Sequence, residues 1–290
     1  MGRRPRHRRR RRGRRALSRV PSAHIAAYFF PDAVGPDIDL ICDLSAFFFL
    51  FDDGFTVPAG ASPDVALAAC DQLLTVLSRP DGGAGDGALP IVAAFADAWE
   101  REREGMSATW CRRAAHEWRR YLYGHYAEVA DRRTRARLSP REHLATRRDT
   151  LGFRPTVNMG ERVGRFEMPL AALHHSRFRA MLEAALDHVL VVNEIYSLDN
   201  DETTGDHNLV HCVMHAHDRT RAEAIADLVH LADAHAHTLA AATAGTNDLC
   251  HALGLDGDER RAVRRWVATL CDFVRGNHDW GFAAGRYRAP

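Results

Sequence analysis

The chain has 290 residues, 46% of them hydrophobic and 27% charged, which is enough to bury a sizeable core and excludes wholesale disorder. Its most apolar stretch, Ala46 to Phe51, ends at Asp52, so nothing approaches the roughly 20 apolar residues that a membrane span needs. The formal charge of +1 joins two unlike parts: residues 1–19 hold eleven arginines and no acid, leaving 28 arginines against 38 acids, a formal −10, for the remainder.

An arginine run this dense repels itself and stays solvated, so residues 1–22 are expected to be a disordered extension, followed by one domain over 23–290. No apolar segment of a secretory signal follows it. Nucleic acid is not expected as a partner; such a role would rest on residues 3–19 alone, and their deletion would remove it. From residue 23 onward helical periodicity dominates. Trp110, Ala114, Trp118, Leu122 and Tyr126 recur every four residues and form one apolar stripe, with Ser107 placed to cap the helix that carries it. A second long pattern runs over 179–202 through Met181, Leu182, Ala185, Val189, Val192 and Tyr196. Residues 220–241 and 258–278 repeat the theme. Breakers fall between these segments at Pro31, Pro58 to Pro63, Asp81–Gly87, Ser139–Pro140 and Gly245 to Asn247. The glycine cluster separates helices rather than domains, because apolar helices resume at once. Alternating strand runs and a βαβ rhythm are missing, so the expected fold is an all-α bundle of about ten helices.

The six cysteines are scattered without C-x-x-C spacing and read as free thiols in a reducing cytoplasm. His211, His215 and His217 lack the intervening Glu base of a zincin helix and read as ordinary helix residues. Two acidic segments carry more. Asp52-Asp53 directly follows an apolar helical run, where a carboxylate is costly unless paired or metal-bound; a helix ending in a solvated Asp-Asp-Gly turn is an equal reading of those residues alone. Asn193, Ser197 and Asp201 stand at i, i+4 and i+8, within a sector of about 80° on one helix. Amide, hydroxyl and carboxylate oxygens on one face suit a hard cation such as Mg²⁺, which binds few carboxylates and keeps places for water and phosphate. Glu202 would lie about 180° from Asn193, so Asp201 is the expected third donor.

In these residues the chain resembles the bacterial class I terpene synthases. Asp52-Asp53 is similar to their aspartate-rich DDxx(D/E) motif, and Asn193/Ser197/Asp201 to their NDxxSxxxE triad. The family's diphosphate-sensing arginine lies 46 positions before the triad Asn, which is Arg147, within Ala145-Thr-Arg-Arg-Asp-Thr-Leu-Gly. An Arg-Tyr pair closes such chains, as Arg286-Tyr287 does here, and Tyr28-Phe-Phe-Pro-Asp-Ala33 resembles the segment before the aspartate-rich helix. The chain departs from the pattern at Thr56, where a third acid is expected, at Asn200, where a basic residue often stands, at Asp201 in place of Glu, and before residue 23, where the family's usual N-terminal stretch is missing.

The resemblance implies a class I terpenoid synthase bundle around a central active-site cavity, in a cytoplasmic lyase of isoprenoid and secondary metabolism. It implies that Mg²⁺, three ions with bound diphosphate, ionises a linear prenyl diphosphate, farnesyl diphosphate first and geranyl or geranylgeranyl diphosphate behind it, and that the cation then cyclises. Asp52, Asn193, Ser197 and Asp201 would hold metal, with Asp53 hydrogen-bonding beside Asp52. Arg147, Arg286 and Tyr287 would donate to the diphosphate, with Thr150 beside them. Phe48, Phe49, Phe55 and Trp280 would line the cavity against the carbocation, as aromatic faces stabilise cations without trapping them. At least one or two of Phe47, Phe48, Phe49 and Phe51 must instead be plain core. Arg147 and Arg286, unpaired without ligand, would leave an open, wet mouth. A homodimer stays open. The alternatives are a catalytically impaired prenyl-diphosphate-binding protein and a chain-elongating prenyltransferase, the latter disfavoured because a second aspartate-rich motif is missing.

Overall fold

The computed structural model describes residues 22–55, 63–134 and 137–283, and every regular element among them is an α-helix. Thirteen helices follow one another: α1 Ser22–Phe29, α2 Pro36–Phe55, α3 Pro63–Ser78, α4 Pro90–Arg103, α5 Ala108–Thr134, α6 Pro140–Thr150, α7 Phe153–Gly164, α8 Leu170–Leu173, α9 Ser176–Thr204, α10 Leu209–His217, α11 Arg221–Thr243, α12 Thr246–Ala252 and α13 Gly257–Ala283. Prolines open α2, α3, α4 and α6, where the missing N–H costs nothing and the fixed φ suits a first turn. The expected Gly245–Asn247 break falls slightly earlier: extended Ala244 and Gly245, at φ +73°, turn the chain, and α12 begins at Thr246.

The periodic stripes become the core. Trp110, Ala114, Trp118 and Leu122 of α5 are buried, and the Ser107 hydroxyl accepts the Trp110 N–H at 3.1 Å as the expected cap. Tyr126, at the end of that stripe, is only half-buried and donates its hydroxyl to Asp71 at 2.5 Å. The helix at the centre is α9, buried on all sides over Ala184–Val192 and packed against α11, α13 and α10. A stretch buried all round lies inside the bundle, and its two polar members are satisfied there, Asp187 by Arg148 and His188 by the Ala232 carbonyl. One large core cluster gathers α1 to α5, α7, the first half of α9 and α13, with single residues from α8, α11 and α12; a smaller one joins Val191, Val192 and Leu198 of α9 to α10 and α11. The second half of α9 therefore passes from core to cavity, and its polar residues sit on a rigid support.

Candidate active site

The cavity is built around a charged cluster on α6. This helix starts in a capping box, with the Ser139 hydroxyl accepting the Glu142 N–H and the Glu142 carboxylate accepting the Ser139 N–H. His143, Arg147 and Thr150 follow at helical spacing and share the face turned to α9 and α5. Glu194, only 2% exposed, collects three donors: Arg147 Nε at 2.7 Å, His143 Nε2 at 2.8 Å and the Leu209 N–H at 2.8 Å. The other edge of the guanidinium reaches Thr150 Oγ1 at 3.1 Å, Glu128 Oε1 at 3.4 Å and Asn193 Oδ1 at 3.3 Å. Thr150 in turn donates to Glu128 at 2.7 Å. Burial alone would raise the Glu194 carboxyl, but Arg147 and His143 outweigh it and hold it at about 2. Burial lowers Arg147, yet Glu194, Glu128 and Asp52 together push it above its ordinary value, so it stays charged.

On α9, Asn193, Ser197 and Asp201 face the same cavity. Ser197 Oγ donates to Asp201 Oδ2 at 2.7 Å, and Asn208 Nδ2 donates to the same oxygen at 2.8 Å. Burial raises the Asp201 carboxyl, and those two donors only partly oppose it. Glu202 points elsewhere, to His211 at 3.1 Å and Arg221 at 3.5 Å, and is well exposed. The helix ends because Gly205 takes φ +75°, a left-handed conformation glycine adopts without strain; its N–H and that of Asp206 both return to the Asp201 carbonyl.

Across the cavity, α2 does not stop at the acidic pair. It runs through Asp52 to Phe55, so the reading of an Asp-Asp-Gly turn that ends the helix gives way to a helix that carries Asp52 onto the cavity wall. Phe48 and Phe49 line the wall beneath it, with Tyr121 of α5 and Leu151. Phe48 stacks on Trp118 with ring centroids 5.1 Å apart, and Phe49 meets Trp280 at 6.0 Å. Phe47 and Phe51 are buried core, as at least some of that run had to be. Burial, with the charges of Asp52 and Glu128, pushes the Tyr121 phenol well above its usual value, so it remains neutral.

The structure thus brings Asp52, Phe48, Phe49, Arg147, Thr150, Asn193, Ser197 and Asp201 around one cavity, together with Asn200. Trp280 is buried and stands against Phe49, one layer from the side chains that line the cavity. The expectation of an unpaired Arg147 is corrected. Four side chains already hold it, because its buried neighbours Glu194 and Glu128 supply the counter-charge that a ligand was expected to bring. Residues 1–21, Thr56, Arg286, Tyr287 and the side chains of Asp53 and Phe55 lie outside the described residues. Sequence reading missed His143, Glu194, Glu128 and Asn208. Spacing on α6 and adjacency to Asn193 were available as signals for the first two; the last two are joined to the site only by tertiary packing.

Among the described residues, no group of three or more His, Cys, Asp or Glu side chains could hold a metal ion. The oxygen set is different in kind: Asp52 on one wall, amide, hydroxyl and carboxylate on the other. That set fits a hard divalent cation whose remaining positions go to water and phosphate oxygens. No helix is long and apolar enough to cross a membrane among the described residues.

Comparison with known proteins agrees with this geometry. Residues 43–238 match the family model described as terpene synthase family 2, C-terminal metal binding. The R-linalool synthase of Streptomyces clavuligerus is 40% identical over 266 residues, covering 91% of this chain and 79% of its own. The pentalenene synthase of Streptomyces exfoliatus is 36% identical over 270 residues, covering 92% and 79%. The crystal structure of linalool/nerolidol synthase from Streptomyces clavuligerus in complex with 2-fluorogeranyl diphosphate superposes with a TM-score of 0.87 at 37% identity, over 93% of this chain and 91% of that one. The chain belongs to terpene synthase family 2 and is a class I terpene synthase, a lyase acting on a prenyl diphosphate.

Proposed function

We propose that this enzyme is a Mg²⁺-dependent terpene cyclase that takes farnesyl diphosphate, with three ions engaged when diphosphate is bound. The observation that carries the reading is the convergence of Asp52 with Asn193, Ser197 and Asp201 on one cavity whose deeper wall is aromatic. Asp52 and the α9 triad would hold the metal, which when bound supplies positive charge to the leaving diphosphate. Arg147 contributes a fixed cation at the same place. Its orientation is set beforehand by Glu194, Glu128 and Thr150, so little reorganisation is needed as negative charge develops. With Glu194, Glu128, Thr150 and Asn193 taking four of its five N–H groups, the guanidinium still has an Nη2 hydrogen to offer a phosphate oxygen. Arg286, Tyr287 and Asp53 are proposed to complete the diphosphate contacts. Phe48 and Phe49 exclude water and offer ring faces to the allylic cation. Phe55 is proposed as a further part of that lining.

Geranyl diphosphate is the second reading, favoured by the likeness to a synthase whose crystal structure holds 2-fluorogeranyl diphosphate. Incubation with geranyl, farnesyl and geranylgeranyl diphosphate in Mg²⁺, with extracts read by gas chromatography–mass spectrometry, tests both. Cyclic products from farnesyl diphosphate with the highest kcat/KM are expected. Acyclic alcohols alone would overturn the cyclase reading, and turnover confined to geranyl diphosphate would overturn the substrate.

A further inference from the structure

The turn between α9 and α10 holds a side chain that lies outside the cavity yet touches three parts of its wall. Asn208 is completely buried and is the N-cap of α10, its Oδ1 accepting the Val210 N–H at 2.9 Å. Its Nδ2 donates to the Glu194 carbonyl at 2.9 Å and to Asp201 Oδ2 at 2.8 Å, with Ser197 Oγ at the margin at 3.5 Å. Both N–H hydrogens of the amide are thereby given, and its carbonyl oxygen accepts one bond. A cap alone needs only the acceptor. The two donated bonds reach back across the turn to the helix that carries the Asn/Ser/Asp face.

We infer that Asn208 is a positioning residue for the divalent cation, fixing Asp201 on α9 without touching metal or substrate. This rests on the proposed metal role of the α9 face. Asp201 is one methylene shorter than the Glu that the resemblance led one to expect, so its carboxylate reaches less far and its placement matters more. Both protein donors, Ser197 Oγ and Asn208 Nδ2, converge on Oδ2, which assigns that oxygen to the protein and leaves Oδ1 without a donor among the described residues. With its O–H directed at Asp201, Ser197 keeps its lone pairs for another partner. The neighbouring Leu209 N–H binds Glu194, the residue that holds Arg147, so one buried turn sets both the acidic and the basic side of the site. Groups that hydrogen-bond a metal ligand in this way commonly carry about 10–100-fold in metal affinity.

The test is a thermal-shift titration of Mg²⁺ at fixed inorganic diphosphate, on the full chain. Asn208→Ser keeps a side chain that caps α10 but cannot span to Asp201. Its half-saturating Mg²⁺ concentration should rise at least about tenfold over wild type. Asn277→Ser is the control: Asn277 is buried and donates to the Val189 carbonyl at 3.3 Å, so its loss should lower the metal-free melting temperature and leave the Mg²⁺ midpoint in place. Should Asn208→Ser not fold, Asn208→Thr takes its place, a side chain that can likewise cap α10 but carries no amide N–H to reach Asp201, and the same rise is expected. A midpoint within about twofold of wild type in the folded variant overturns the inference, as does an equal rise in Asn277→Ser. Asp201→Asn separates the two levels. If it shifts the midpoint and Asn208→Ser does not, only the role of Asn208 fails. If wild type and Asp201→Asn titrate alike, the metal-site reading itself fails.

Discussion

Two carboxylates, Asp52 on α2 and Asp201 on α9, look into the cavity from opposite walls. Asp52→Asn removes a charge and keeps the shape, so diphosphate release should fall by at least on the order of a hundredfold with circular dichroism and melting temperature preserved. Near-wild-type turnover at saturating Mg²⁺ would take Asp52 out of the site. The neighbouring acids Asp201 and Glu202 differ sharply in surroundings. Asp201 is half-buried and bonded to Ser197 and Asn208, whereas Glu202 lies among solvent-exposed partners. Exposed pairs of that kind contribute about 1 kcal/mol or less, so Glu202→Gln should change kcat by no more than a few-fold. Asp201→Asn should cost far more, and the reverse order in steady-state kinetics would show that the wrong acid has been assigned.

Contacts between elements make two further statements. Gly152 sits where α6 breaks before α7, at φ +76°, and a Cβ there would come within 2.7 Å of the Phe48 ring. That ring is held by Trp118 and Tyr121 and has little freedom to retreat. Gly152→Ala should therefore destabilise by about 1–3 kcal/mol and alter the product distribution, since the cavity wall must move. An unchanged product profile with unchanged melting temperature would show that the wall yields. Between α4 and α5, Glu102 is wholly buried, accepts the Trp118 Nε1 hydrogen at 3.0 Å and leaves Oε1 without a partner among the described residues. Burial pushes its carboxyl up to about 8, with Trp118 and Arg162 only partly opposing. Its folded value is above the unfolded one, so its stabilising contribution is full below about pH 4.5 and is lost as pH rises through about 8. Glu102→Gln should remove this dependence. Its melting temperature should gain on wild type progressively between about pH 5 and pH 8, and a constant difference across that range would refute the cause.

At the scale of the whole molecule, Arg147 is neutralised before any ligand arrives, so diphosphate alone meets a site whose charges near α6 are already balanced. Mg²⁺ with inorganic diphosphate should then raise the melting temperature by mass action, by an amount that grows with ligand concentration, and either component alone should do little. An equal rise with diphosphate alone would mean that arginines bind it without metal.

The all-helical architecture was determined by the sequence itself. The stripe of Trp110, Ala114, Trp118 and Leu122 on α5 and the periodic positions Met181, Ala185, Val189 and Val192 on α9 each follow from local periodicity, and each became core. The face Asn193/Ser197/Asp201 was equally legible, because a helix fixes the angle between residues four apart. Where the chain folds back, sequence spacing no longer measures distance. Glu128 lies 19 residues from Arg147 and Asn208 seven from Asp201, and both pairs are joined only by helices crossing or turning. Whether α2 ends at Asp52 or carries it onward was decided the same way. A carboxylate beside an apolar run can end a helix or face a cavity. Only the packing around α2 selects between them, because burial is a property of what surrounds a residue and not of the residue.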